Sequence, residues 1–150
     1  METAVSLLSA LGRFLLAVIF VRAGINKLGA IAATSANMAS HGIPMPELLV
    51  YGAIALELGG GLMLMTGLFT RWIAAAFFLY IMTLALLFHG YWTVTDAAAA
   101  RTDAAFFFGH LSMMGGMLAF VAFGGGAFSI DALMGRWTAV PASTMNAKRT

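Results

Sequence analysis

One acidic side chain lies near the middle of a long apolar stretch of this sequence. Glu57 is the charged residue within residues 48–69, a stretch long enough to cross the hydrocarbon layer of a bilayer, which takes about 20 apolar residues. A charge at the centre of a spanning helix costs about 2.5 to 3.5 kcal/mol, so an acid there is usually paired or protonated. Glu57 is therefore the first candidate for chemistry, as a proton-exchanging acid or as a hydrogen-bonding group for a ligand. The alternative is an acid that fixes helix register within a bundle.

Cationic partners for this acid stand on the first apolar stretch of the chain. Arg13 and Lys27 fall nearly on one line of a helix at about 100° per residue, whereas Arg22 points about half a turn away. The same line carries small residues that allow helices to pack closely in membranes, Ala17 and Gly24. We therefore predict that this line faces inward, with Lys27 as the charge partner of Glu57 and Arg13 as a supporting ion about 20 Å away along the helix. Anchoring at the membrane surface is the alternative for both cations.

Two histidines lie at similar depth, one near the end of the third apolar stretch and one near the start of the fourth. His89 and His110 are predicted to line, with Lys27 and Glu57, a polar pocket that opens toward the outer face. A neutral histidine donates a hydrogen bond to a quinone carbonyl, and the methionines near His110 provide an adaptable wall for a lipophilic chain. Packing within the bundle is the alternative. Two histidines at similar depth could also ligate a haem or, with Glu57, a metal ion. The sequence has no paired i, i+4 ligand motif, so neither site is expected.

The composition places the chain in a membrane. Of its 150 residues, 61% are hydrophobic and 9% are charged, against about 25% charged residues in soluble domains. The formal net charge of +2 comes from few groups without a basic stripe, which excludes a nucleic-acid partner. Because the sequence contains no cysteine, its own residues cannot form a disulfide, an iron–sulfur cluster or a thiolate zinc site. Any redox group must be bound or supplied by a partner.

Four apolar stretches have the length of membrane spans, at residues 7–28, 47–69, 72–92 and 105–128. We therefore predict an all-α fold, an integral membrane four-helix bundle in which residues 1–135 form one domain and residues 136–150 a short polar cytoplasmic tail. The connection between spans two and three is so short that they must form an antiparallel hairpin. Residues 29–46 are predicted to contain a short interfacial helix, and residues 92–103 to lie in water because they are polar.

The basic residues near the span ends indicate the orientation of the bundle. The side of the termini carries more of them, namely Arg13, Arg71, Arg136, Lys148 and Arg149. The opposite side carries Arg22, Lys27 and Arg101. Because the cytoplasmic loops of membrane proteins are enriched in Lys and Arg, both termini are predicted to be cytoplasmic.

The order of these features resembles the DoxX family of small four-helix bacterial inner-membrane proteins, over roughly residues 11–133. The residues that carry the resemblance are Arg13, Phe20, Gly24, Lys27-Leu28, Met38, Gly42-Ile43-Pro44, Pro46, Glu57-Leu58-Gly59-Gly60-Gly61, Gly67, Thr70-Arg71, Phe88-His89, Trp92 and Gly115-Gly116. Two positions depart from the family pattern: Arg22 stands where relatives usually have an apolar or small residue, and His110 where an amide such as Asn is common. The resemblance implies a bacterial cytoplasmic-membrane protein connected with redox enzymes, since relatives include quinone-linked oxidoreductase components.

The sequence therefore favours a membrane subunit or accessory of a redox complex, which binds quinone or another small lipophile within the bundle and is a non-catalytic subunit of a quinone-linked oxidoreductase. Its expected partners are membrane lipids and either a redox enzyme or further copies of the same chain. Two alternatives belong to other classes. A small transporter would couple its transport to protonation of Glu57, and a structural membrane adaptor would have no chemistry of its own.

Overall fold

The computed structural model of the chain describes residues 2–135, and the predicted polar tail at residues 136–150 lies outside them. Its helices are α1 (Glu2–Leu28), α2 (Ile31–Ser40), α3 (Pro46–Ile54), α4 (Gly61–Thr66), α5 (Thr70–Phe88), α6 (Ala97–Phe123) and α7 (Ile130–Leu133). Within residues 2–135, four helical stretches are long and apolar enough to cross a membrane: Thr3–Leu28, Pro46–Thr66, Thr70–Thr93 and Ala97–Phe123. The predicted all-α four-span architecture is confirmed, and α2 is the short helix predicted between spans one and two.

The second span is one continuous helix with a widened turn in the middle. A π-helical segment, Ala55–Gly60, joins α3 to α4. Such π turns are rare and are frequent at functional sites. Glu57 lies within this segment with its side chain 2% exposed, so the widened turn and the buried acid coincide.

Small residues let the first two spans approach each other closely, as predicted. A methyl group on Gly24 would lie 2.6 Å from Leu58 Cγ, and one on Gly61 would lie 2.9 Å from Val21 Cγ2. Phe20 then stacks on Phe77 of α5, with ring centroids 4.0 Å apart, and carries the contact to the third span. The predicted inward faces of both spans are confirmed by their buried residues, Arg13, Ala17 and Gly24 on α1, and Glu57, Gly60, Gly61 and Leu64 on the second span.

The fourth span begins earlier and ends earlier than predicted. Helix α6 begins at Ala97, because the Asp96 side chain accepts hydrogen bonds from the Ala98 and Ala99 amides and caps its N-terminus. Asp103 therefore lies on the helix rather than in a loop, and the placement of residues 92–103 in water stays a prediction. The helix ends at Phe123, since Gly124 adopts a φ of 74° that a helix does not continue.

The chain after α6 folds back onto the end of the bundle that holds the start of α1. We call this the terminal end; the opposite end, with α2 and the turn at Tyr91–Thr93, is the loop end. Asp131 of α7 accepts hydrogen bonds from the amides of Phe69 and Thr70, at 2.8 and 2.7 Å, and so caps α5 from a distant part of the sequence. Placement of the terminal end in the cytoplasm stays a prediction.

This long-range cap should be sensitive to the loss of one carboxylate oxygen. In Asp131→Asn one of the two accepting oxygens becomes an amide donor, so we expect the free energy of unfolding to fall by about 1 to 2 kcal/mol. Asp96→Asn is the matched control, because Asp96 accepts both of its hydrogen bonds through one oxygen that asparagine keeps. Denaturant-induced unfolding in mixed micelles measures both variants. Equal losses in the two variants would contradict this account of the cap.

Candidate functional site

The predicted ion pair between spans one and two is present. Lys27 Nζ lies 2.8 Å from both carboxylate oxygens of Glu57. Glu57 is 2% exposed, whereas the Lys27 side chain is 25% exposed and reaches the acid from the loop end. The cation thus offsets the charge of an acid that is otherwise enclosed by the bundle.

A tyrosine that the sequence analysis missed joins this ion pair, and we call Lys27, Glu57 and Tyr80 together the ion cluster. The Tyr80 hydroxyl on α5 donates a hydrogen bond to Glu57 Oε1 at 2.7 Å. A signal for it exists in the sequence: Tyr80 and Glu57 stand about equally far from the hairpin turn at residues 67–70, on antiparallel spans. A tyrosine hydroxyl in the middle of an apolar span needs a polar partner, and the acid at the same depth provides it.

A cavity of about 460 Å³ lies beside the cluster. Lys27 and Tyr80 form its polar wall next to Glu57. The remaining lining is mostly apolar, and its other polar residues are Thr34, Asn37 and Thr83. Glu57 is not among the described residues that line it. The acid therefore acts on the cavity through the two side chains that it holds, rather than by direct contact with the space.

Helix α2 forms part of the cavity wall at the loop end. Its residues Asn37 and Met38 line the cavity, together with Phe88 at the end of α5. The ring of His41, which follows α2, packs on Phe88 with centroids 4.5 Å apart and joins the two elements. The short helix that the sequence predicted thus has a definite place, as a cover over one end of the cavity.

The two histidines on spans three and four come together with each other, but not with the ion cluster. The rings of His89 and His110 stack with centroids 5.1 Å apart. His89 Nδ1 lies 3.2 Å from Asp103 Oδ1, and His110 Nδ1 donates to the Phe106 carbonyl at 2.7 Å. Neither histidine is among the described residues that line the cavity. The structure therefore does not join them to the predicted pocket, and a ligand role for them stays a prediction.

Arg13 lies at the terminal end and is 1% exposed. Its guanidinium donates to the carbonyls of Leu64 and Met65, at 3.3 Å each, and to that of Phe128. Carbonyls at a helix C-terminus carry partial negative charge, so the end of α4 and the chain after α6 offset the charge of the cation. Its Nε is buried and has no hydrogen-bond partner among the described residues. Its alternative reading as a surface anchor is wrong, and the described contacts do not link it to Glu57. Arg22 is exposed on the outside of the bundle.

Comparison with known proteins gives consistent matches. The family model described as DoxX matches residues 8–90, a range that contains Lys27, Glu57 and Tyr80. The inner membrane protein YphA of Escherichia coli K12 is 31% identical over 121 residues, which cover 81% of this chain and 86% of that protein. The inner membrane protein YqjF of the same organism is 32% identical over 124 residues, or 83% and 89% of the two chains. No solved structure gives a significant match.

Proposed function

This chain belongs to the DoxX family of membrane proteins, and from that premise we propose that it is the membrane subunit or accessory of a redox complex and binds a quinone or a similar small lipophile in its cavity. The ligand head would lie against Lys27 and Tyr80, and its apolar part against the remaining walls. The proposal places no covalent chemistry on the chain, because it has no cysteine and no nucleophile constellation.

This proposal rests on one observation: the Lys27–Glu57 pair, which has no net charge, and Tyr80 lie at one side of a mostly apolar cavity. Ligand sites in proteins are typically concave, mostly apolar and about 300 to 1,000 Å³ in volume, with few polar groups that fix orientation. The cavity, at about 460 Å³, falls within that range. Since Lys27 and Glu57 neutralise each other, a neutral ligand enters without leaving an unpaired charge. A quinone head has this character, and Lys27 offers its carbonyl a hydrogen-bond donor.

Filling the cavity should abolish binding of a short-chain quinone. Ala53 lines the cavity, whereas Ala55, two residues later, is exposed on the outside of the same span. We expect purified protein in micelles to bind decylubiquinone saturably. Ala53→Phe should bind it at least about tenfold more weakly, a loss of about 1.4 kcal/mol or more, because the larger side chain fills the cavity. Ala55→Phe should stay within about twofold of the unmodified chain. Equilibrium dialysis measures the affinities, and mass spectrometry of extracted lipids detects native quinone.

Folding of each variant is checked by its elution and its unfolding midpoint, and Met38→Trp on α2 provides a second way to fill the same space. Absence of saturable binding by the unmodified chain would overturn the proposal. Equal affinities for the two alanine variants would do so as well, because the bound quinone would then lie outside the cavity.

A further inference from the structure

The ion cluster has hydrogen-bonding capacity that its internal contacts do not use. Lys27 Nζ carries three N–H donors, and its described hydrogen bonds go to the two oxygens of Glu57. Tyr80 uses its one O–H to donate to Glu57, so its oxygen keeps lone pairs that accept. Both residues line the cavity. The polar wall therefore offers a ligand one donor, on Lys27, and one acceptor, on Tyr80.

The donor and the acceptor are close enough for one hydroxyl group to satisfy both. Lys27 Nζ and Tyr80 Oη contact the same atom, Glu57 Oε1, at 2.8 and 2.7 Å, so their separation cannot exceed the sum of these distances. A ligand hydroxyl between them accepts from Lys27 and donates to Tyr80. A carbonyl oxygen accepts from Lys27 but brings its lone pairs against those of Tyr80, which leaves the tyrosine oxygen without a donor.

Charge balance restricts the ligand further. The charges of Lys27 and Glu57 cancel, and the remaining walls are mostly apolar. An anionic head such as a phenolate would therefore bring an uncompensated charge into the cavity. A protonated hydroxyl on a neutral ring meets both requirements. We infer that the cavity binds the quinol form of its ligand in preference to the quinone form. This inference rests on the proposed function, because it specifies which redox form the same cavity holds.

Preferential binding of the reduced form has a direct redox consequence. One additional hydrogen bond of ordinary strength should make the quinol bind about two- to tenfold more tightly than the quinone. For a two-electron couple a tenfold preference corresponds to about 30 mV. The bound ligand would therefore be a stronger oxidant than the same molecule in the bilayer.

The test compares the affinities of decylubiquinol and decylubiquinone under anaerobic conditions. For the unmodified chain we expect the quinol to bind about two- to tenfold more tightly than the quinone. Tyr80→Phe should remove this preference, so that its affinities for the quinol and the quinone agree within about twofold. Tyr51→Phe is the matched control, because Tyr51 is an exposed tyrosine on α3 and should leave both affinities unchanged.

A ligand variant makes the test independent of how well Tyr80→Phe folds. The dimethyl ether of decylubiquinol keeps both ring oxygens but has no hydroxyl to donate, so the unmodified chain should bind it no more tightly than the quinone. Equal affinities for quinol and quinone, or for quinol and its ether, would overturn this inference and leave the proposed function intact. Failure of every one of these ligands to bind would instead overturn the proposed function.

Discussion

Lys27→Met should lower the free energy of unfolding by about 3 kcal/mol. The substitution keeps most of the side-chain length but removes the cation that lies 2.8 Å from both Glu57 oxygens. Glu57 is 2% exposed, so its carboxylate would remain in the bundle with Tyr80 as its described partner. Removal of one member of a buried ion pair typically costs about 3 to 5 kcal/mol, because the other charge is left without compensation. Unfolding in mixed detergent micelles, followed by tryptophan fluorescence, measures this loss.

A double substitution separates lost charge compensation from lost packing. In Lys27→Met with Glu57→Gln no charge remains at the site, so the loss should shrink to about 1 kcal/mol, and the double-mutant cycle gives the coupling between the two residues. Arg22→Met provides a matched control on the same helix, since Arg22 is exposed and should change the stability by less than about 0.5 kcal/mol. If the double variant were as unstable as Lys27→Met alone, the pair would not be coupled as described.

Gly67→Ala should also cost about 3 kcal/mol, for steric reasons. Gly67 ends α4 with a φ of 74°, a conformation that disfavours any side chain. A methyl group there would overlap the guanidinium of Arg13 and lie 2.5 Å from Ser129 Cβ. Since Arg13 is held by main-chain carbonyls and is 1% exposed, it cannot move aside cheaply. The same unfolding measurement tests the prediction.

Alanine substitutions at two other glycines separate the cost of backbone strain from the cost of steric overlap. Gly42 has a φ of 72° with open space around it, so Gly42→Ala should cost about 1 kcal/mol from backbone strain alone. Gly115 lies within α6, also in open space, and Gly115→Ala should stabilise by about 0.5 to 1 kcal/mol because alanine is the better helix former. Equal losses for Gly67→Ala and Gly42→Ala would show that Arg13 yields to the methyl group.

The spans and the Lys27–Glu57 pair could be predicted from sequence, because the lengths of the apolar stretches and the inward faces of the helices determine them. Apolar length locates each span, and the small residues next to Glu57 and Lys27 mark the sides on which helices approach. The shared depth of Glu57 and Tyr80 could have been predicted in the same way, since both stand about equally far from the hairpin turn. In these cases one-dimensional information was sufficient.

The remaining features depend on the directions in which side chains point and on contacts with main-chain groups, and residue types reveal neither. His89 and His110 share a depth, but His110 faces His89 on the neighbouring helix, so equal depth did not place them in the cavity. The ligands of Arg13 are carbonyl oxygens, which every residue carries. The start of α6 was missed because Asp96 acts as a cap, whereas its charge suggested an aqueous loop.

The direct contact between Lys27 and Glu57 also bears on energetics in a living membrane. One elementary charge that crosses the full membrane potential exchanges about 2.3 kcal/mol per 100 mV. The pair has no net charge and the proposed ligand has none, so entry into the cavity moves no charge through the electric field. At a fixed ratio of quinol to quinone, the membrane potential should therefore not change the occupancy of the cavity.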